Sequence, residues 1–141
     1  MAQQYKLVEK RNMGKDNGIF ETKWYAQQVS SGKVSFDELC EQIADGCTVT
    51  SADVKATLDR ANKVLNTNLQ AGRIVQFGEL GNFRLTVKST GATRAGRFTS
   101  SNIKGANLIF SPGKSLKKTK STAEFQKVSD QQNEKTEASE L

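Results

Sequence analysis

The sequence predicts an α+β chain with two amphipathic helices and a small antiparallel sheet, and three observations predict it. Two stretches, beginning at Ser35 and Thr50, open with helix-capping patterns and continue with apolar residues at helical spacing. Farther along, Val75 and Phe77, then Phe83, Leu85 and Val87, alternate with polar residues at the period of two that marks a half-buried strand. The charge is divided in the same way: residues 34–71 hold three basic and six acidic groups, whereas residues 72–120 hold ten basic groups and one acid, Glu79.

Residues 5–33 come first and contain short alternating runs, Tyr5-Lys6-Leu7-Val8 and Trp24 to Val29, separated by turn chemistry at Met13 to Gly18. They predict two or three small strands. Trp24 and Tyr25 beside Lys23 suit either a platform for stacking bases or the packing of an added strand, the ordinary use of aromatic strand residues.

Ser35 can cap a helix that Glu38 supports from three residues on; Phe36, Leu39, Cys40 and Ile43 follow at helical spacing, and Asp45-Gly46 closes it. Thr50 to Asp53 repeats the device, and Val54, Leu58, Ala61, Leu65 and Leu69 form one apolar stripe ended by Gly72. Two such helices could be a helix-turn-helix reader of the major groove. The second carries few cations (Lys55, Arg60 and Lys63) and a stripe suited to burial, which favours core or dimer packing.

The run from Val75 breaks at Gly78-Glu79 and Gly81, so a hairpin is expected. If Phe83, Leu85 and Val87 face a core, Arg84, Thr86 and Lys88 lie on the opposite, cationic face. Ser89 to Asn102 is rich in Ser, Thr, Gly and Arg, which sets Arg94 and Arg97 at or near the tip of a protruding ribbon. Ile103 to Phe110 regains strand character, but Leu108-Ile109-Phe110 is apolar at every position, so parity leaves the core side open. Pro112-Gly113 then turns the chain into a short lysine-rich segment. From Ser121 the composition is that of a polar disordered tail.

Composition excludes several functions. Histidine is absent, which removes Ser-His-Asp and Cys-His nucleophile schemes and His-based zinc sites. Cys40 and Cys47 lack the close spacing of a zinc or redox pair and read as reduced thiols. Gly113-Lys114-Ser115 ends like a phosphate-binding loop, yet the glycine needed five positions earlier is Leu108. No enzyme, cofactor or metal is expected. No apolar run approaches the ~20 residues of a membrane span, and the polar start Met1 to Tyr5 points to the cytoplasm. Ten cations against one acid create a self-repulsion that a bound polyphosphate relieves, so nucleic acid is the expected partner.

Gly72, Val75, Gln76, Gly81 and Phe83, followed by Phe110, Gly113-Lys114, Leu116 and Lys117, resemble the pattern of the bacterial histone-like HU and integration-host-factor family. The chain is more narrowly similar to the longer HU-like variety with an N-terminal extension. The resemblance covers residues 35–120 and divides the chain into an extension (1–34), an HU-like domain (35–120) and a tail (121–141). It implies an HU-like fold: two N-terminal helices under a sheet, with basic β-arms, a short C-terminal helix and an intertwined homodimer.

The function it implies is binding of duplex DNA in the nucleoid through phosphates and groove shape, with little sequence preference. The contact residues expected are Arg84, Lys88, Arg94, Arg97, Lys104, Lys114, Lys117 and Lys118, of which Lys114 and Lys117 match the family's Gly-Lys element beside the DNA backbone. The chain departs from the family in having Pro112 as its sole proline, where HU arms carry an Arg-Asn-Pro tip, and in a shorter span between Val87 and Leu108. The alternative is an assembly protein on the same scaffold that docks a protein partner through residues 5–33.

Overall fold

A computed structural model describes residues 2–11 and 22–128. The turn expected at Met13 to Gly18 and the tail from Ser129 onward lie outside the described residues. The chain divides into two compact units, residues 1–34 with 122–141, and residues 35–121.

The first unit is a three-stranded sheet. Strand β1 (Gln3–Arg11) pairs antiparallel with β2 (Thr22–Val29), Val8 standing opposite Tyr25 and Lys10 opposite Lys23. Its third strand returns from the far end of the chain: β6 (Phe125–Lys127) lies parallel to β1, with Gln3 beside Phe125 and Tyr5 beside Lys127. The Val128 amide extends this ladder to the Tyr5 carbonyl at 3.0 Å, and Val29 and Val128 are the unit's buried hydrophobic residues among those described. Part of the stretch expected to be tail is therefore strand.

The second unit begins with α1 (Phe36–Asp45) and α2 (Ser51–Gln70), which pack on one another. Ser35 accepts from the Glu38 amide at 3.2 Å. Thr50 and Asp53 complete a reciprocal capping box, the Asp53 carboxylate accepting from the Thr50 amide and the Thr50 hydroxyl from the Asp53 amide, both at 3.3 Å. Such a cap stabilises a helix by about 1 kcal/mol. The α2 stripe is as expected: Val54 and Leu69 are buried, and Leu58, Ala61 and Leu65 are half-buried.

After α2 the chain forms β3 (Val75–Gln76), a 3-10 turn at Gly78–Leu80, β4 (Gly81–Ser89), β5 (Ile103–Pro112) and α3 (Lys114–Ser121). The sheet order is β3-β4-β5, antiparallel throughout. Phe83 centres an aromatic cluster, 6.4 Å edge-on from Phe77 and 4.9 Å from Phe110 between ring centroids.

This architecture overturns the expected fold class. The chain begins with a strand and not with two helices; among the described residues it has two three-stranded sheets and three helices. The cause is local: residues ahead of α1 have enough aromatic and β-branched side chains to pair as a sheet, and β6 completes that sheet from the other end of the sequence.

Candidate nucleic-acid interface

The register of the β4–β5 hairpin sorts its side chains. Phe83 faces Phe110, Leu85 faces Leu108 and Val87 faces Ala106, so these six share one face. Arg84 faces Ile109, Thr86 faces Asn107 and Lys88 faces Gly105, which places Arg84 and Lys88 together on the other face. The pairing settles the parity of Leu108-Ile109-Phe110: Leu108 and Phe110 belong to the apolar face, and Ile109 lies across from Arg84. Thr86 and Ile109 are half-buried, flanked by Arg84 and Lys88, whose aliphatic stems suit such a surface while their charged heads stay in water.

The apolar face is not covered along its length. Phe83 is half-buried, but Val87 is 71% and Leu108 62% exposed. A second apolar area adjoins α2, where Ala61, Val64, Leu65, Val75 and Phe77 line a groove of about 580 Å³.

A β-bulge at Lys88/Ser89 makes Lys104 the extra residue of β5, and its ammonium donates to the Ser101 carbonyl at 3.1 Å. Arg94 and Arg97 lie in the β4–β5 connection, which is two 3-10 turns, Ala95–Arg97 and Ser100–Asn102, in place of a long arm. Asn102 closes this loop. Its side-chain amide donates to the Thr90 hydroxyl at 3.0 Å, while its side-chain oxygen accepts from the Thr99 amide at 3.0 Å and the Thr99 hydroxyl at 3.2 Å. The Thr90 amide donates to the Asn102 carbonyl at 2.8 Å. Asn102→Ala should therefore loosen the loop that holds both arginines, by about 1 kcal/mol. Hydrogen exchange should show the Thr99 amide about fivefold less protected with β4 and β5 unchanged; equal protection would show that the loop is held by other contacts.

Lys114, Lys117 and Lys118 lie on one face of α3, by their three- and four-residue spacing. Gly113 places them. A Cβ on Gly113 would run into the backbone carbonyl of Glu79, and the Gly113 amide donates to the Leu80 carbonyl at 3.0 Å. The helix start can thus lie against the 3-10 turn only if residue 113 has no side chain. Gly113→Ala should cost about 2 kcal/mol by overpacking and lower Tm by several degrees in a thermal melt; an unchanged Tm would show that the turn yields freely. Beside this contact, Asn82, Ser111, Lys114 and Lys117 are among the residues lining a cleft of about 380 Å³.

The eight expected contacts therefore fall into three groups. Lys88, Lys104, Arg94 and Arg97 stand at or beyond the Ser89 end of β4, Arg84 stands on β4 itself, and the α3 lysines stand beyond its Gly81 end. Nine strand residues separate the two ends, about 27 Å at strand rise. This is an extended cationic track, not a pocket. Among the described residues no group of three His, Cys, Asp or Glu gathers to hold a metal, and no helix is long and apolar enough to cross a membrane. Sequence reasoning missed Asn102 and Gly113 as positioning residues; the glycine just before a lysine-rich helix was a visible signal, the asparagine was not.

The second unit is a capped helical pair followed by a three-stranded sheet with cations along its hairpin. The chain belongs to the family described as "HU domain fused to wHTH, Ig, or Glycine-rich motif", whose model matches residues 1–127. Among solved structures it is similar to that of a "Putative bacterial DNA binding protein" from Bacteroides vulgatus, with a TM-score of 0.62 and 12% identity, over 90% of this chain and 48% of that one. The likeness is one of fold, and the chain spans about half the length of the structure it matches. No curated protein matches.

Proposed function

We propose that this chain is one of the longer HU-like proteins, with residues 1–34 as its extension, and that as a homodimer it binds duplex DNA without sequence preference as an architectural protein of the cytoplasmic nucleoid. The observation that carries this reading is the sorted β4–β5 hairpin: Arg84 and Lys88 on one face, in a stretch of ten cations against Glu79 alone. The track length suits a run of phosphates along a duplex, and phosphate contacts carry no sequence information. Family membership and the name of the Bacteroides vulgatus protein support the same partner. The dimer is supported by the open, mostly apolar groove on α2 and by the small set of buried hydrophobic residues in the unit: Cys40, Val54 and Leu69 among those described. The reading assigns no catalytic step.

Fluorescence anisotropy with a duplex over a salt series tests it. Neutralising about six phosphates should give a slope of log affinity on log salt near −5. A flat response would refute the electrostatic mode. The second reading, a protein that docks a partner through residues 5–33, is favoured by Trp24, 63% exposed on β2. It would be supported by failure to bind duplex at low salt together with a copurifying protein.

A further inference from the structure

Trp24 and Tyr25 do not form one stacking platform, because neighbours on a strand point to opposite faces. The register assembles another. Tyr5 pairs with Gln28, Leu7 with Ala26 and Glu9 with Trp24, and Phe125 lies beside Gln3, so Tyr5, Trp24 and Phe125 share one face of the first unit's sheet. Trp24 is 63% and Phe125 70% exposed, and Tyr5 is half-buried. Large apolar side chains gathered in this way on a surface mark a contact with a partner.

The rings are spread along the face and interleaved with polar groups. From Gln3, beside Phe125, to Glu9, opposite Trp24, is about 20 Å at strand rise. Gln3, Tyr5, Ala26, Gln28 and Phe125 line a cleft of about 660 Å³. There the Gln28 side-chain amide donates to the Gln3 side-chain oxygen at 2.7 Å, and a side-chain amide has donor and acceptor capacity beyond one such bond. Lys127 pairs with Tyr5 in the parallel ladder and is exposed. The core of a protein–protein contact is depleted of charge, so a cation and two amides among the rings suit it poorly. They suit nucleotides, which bring a π-face for each ring, donors and acceptors along the base edge, and a phosphate. We infer that the Tyr5, Trp24 and Phe125 face binds single-stranded nucleic acid by stacking its unpaired bases. Phe125 and Trp24 stack bases, the Gln3 and Gln28 amides hydrogen-bond the edge of a base in the cleft, and Lys127 meets a phosphate. Paired bases in a duplex are already stacked on one another and offer this face no ring. DNA and RNA strands present the same π-faces, so the chemistry accepts either. The inference goes beyond the duplex binding proposed above and does not depend on it.

Trp24 is the chain's sole tryptophan, so its fluorescence reports on this face. Titrating the full chain with an unstructured pyrimidine strand, as DNA and as RNA, should quench that emission in step with the anisotropy of the labelled strand. A duplex of the same length should raise the anisotropy with little quenching. Phe125→Leu keeps an apolar side chain without the ring and should weaken single-strand binding about tenfold, the loss expected for one stacked base, with duplex affinity unchanged. Trp24→Leu, read by anisotropy, should do the same. Tyr25→Leu removes a ring from the opposite face and should change neither affinity; far-UV circular dichroism should match for all variants. Quenching by either sugar supports the site and tells which strand it takes. Absence of quenching, or equal affinity of Phe125→Leu and the unaltered protein for the strand, would overturn the inference and leave the duplex function standing. Equal quenching by duplex, or equal loss in Tyr25→Leu, would also overturn it. Loss of self-association in Phe125→Leu without any single-strand binding would refute it in favour of a protein contact. Quenching by the single strand with no duplex binding would uphold this site and overturn the function proposed above.

Discussion

Leu65→Asp is expected to abolish association and folding together. Leu65 lies on the α2 stripe between Ala61 and Leu69, half-buried within the chain, and lines the open apolar groove with Val64, Val75 and Phe77. In the proposed dimer a second copy covers this groove, whose one cationic lining residue is Arg60, five positions from residue 65, so an aspartate there is a carboxylate with no cation at three- or four-residue helical spacing in a mostly apolar contact. Burying an unpaired charge costs several kcal/mol, comparable to the whole stability of a small domain at about 5–15 kcal/mol. The unit has little reserve, because Val64 and Phe77 keep 46% and 40% of their surface exposed within one chain. Sedimentation velocity and circular dichroism on the same samples read both losses. Leu65→Ala is the milder companion and should leave a folded protein whose Tm rises with concentration, as mass action requires of a dimer. A Leu65→Asp protein that is folded and still dimeric would show that the groove is not the interface.

How far the sequence reveals this molecule depends on the range of the interaction. Signals carried within a few residues were legible: the Ser35 and Thr50 caps, the α2 stripe, and the alternation that puts Phe83, Leu85 and Val87 opposite Arg84, Thr86 and Lys88. Features set by distant partners were not. Phe125-Gln126-Lys127 has one apolar residue in a polar context, and it is a strand because β1 offers it an edge. Leu108-Ile109-Phe110 acquires its parity only from the register with β4. The fold class failed for another reason: the strands of residues 5–33 were legible as short runs, but strong capping patterns drew weight to the helices, and of that sheet only β6 depends on a distant partner. Within the candidate site the charges were visible and their positioning was not. The Asn102 clasp joins residues twelve apart, and the Gly113 requirement comes from a backbone carbonyl more than thirty residues earlier.

Reversing Arg84 and Lys88 together, as Arg84→Glu with Lys88→Glu, is expected to reduce duplex affinity by on the order of a hundredfold at low salt. Each lost phosphate contact removes about 0.9 from the salt slope, so two account for a shallowing of nearly 2, and the new carboxylates add repulsion from the same phosphates. Both side chains project from the face opposite Leu85 and Val87, so the change leaves the apolar face intact and should leave the dimer, read by sedimentation, unaffected. Because phosphate contacts position a protein without reading bases, A·T-rich and G·C-rich duplexes should lose affinity alike. Lys63→Glu, an exposed site on α2, changes the net charge by about half as much and, if position rather than net charge decides, should lower affinity by much less than about tenfold. A loss confined to one sequence would mean that this face reads base edges. An unchanged affinity would mean that the β4–β5 sheet meets DNA elsewhere or not at all, leaving the loop arginines Arg94 and Arg97 and the α3 lysines to carry the binding. The hairpin makes the experiment decisive, because antiparallel register fixes which residues share a face, and a one-residue slip would bring Arg84 and Lys88 to the side of Leu108 and Phe110 on β5.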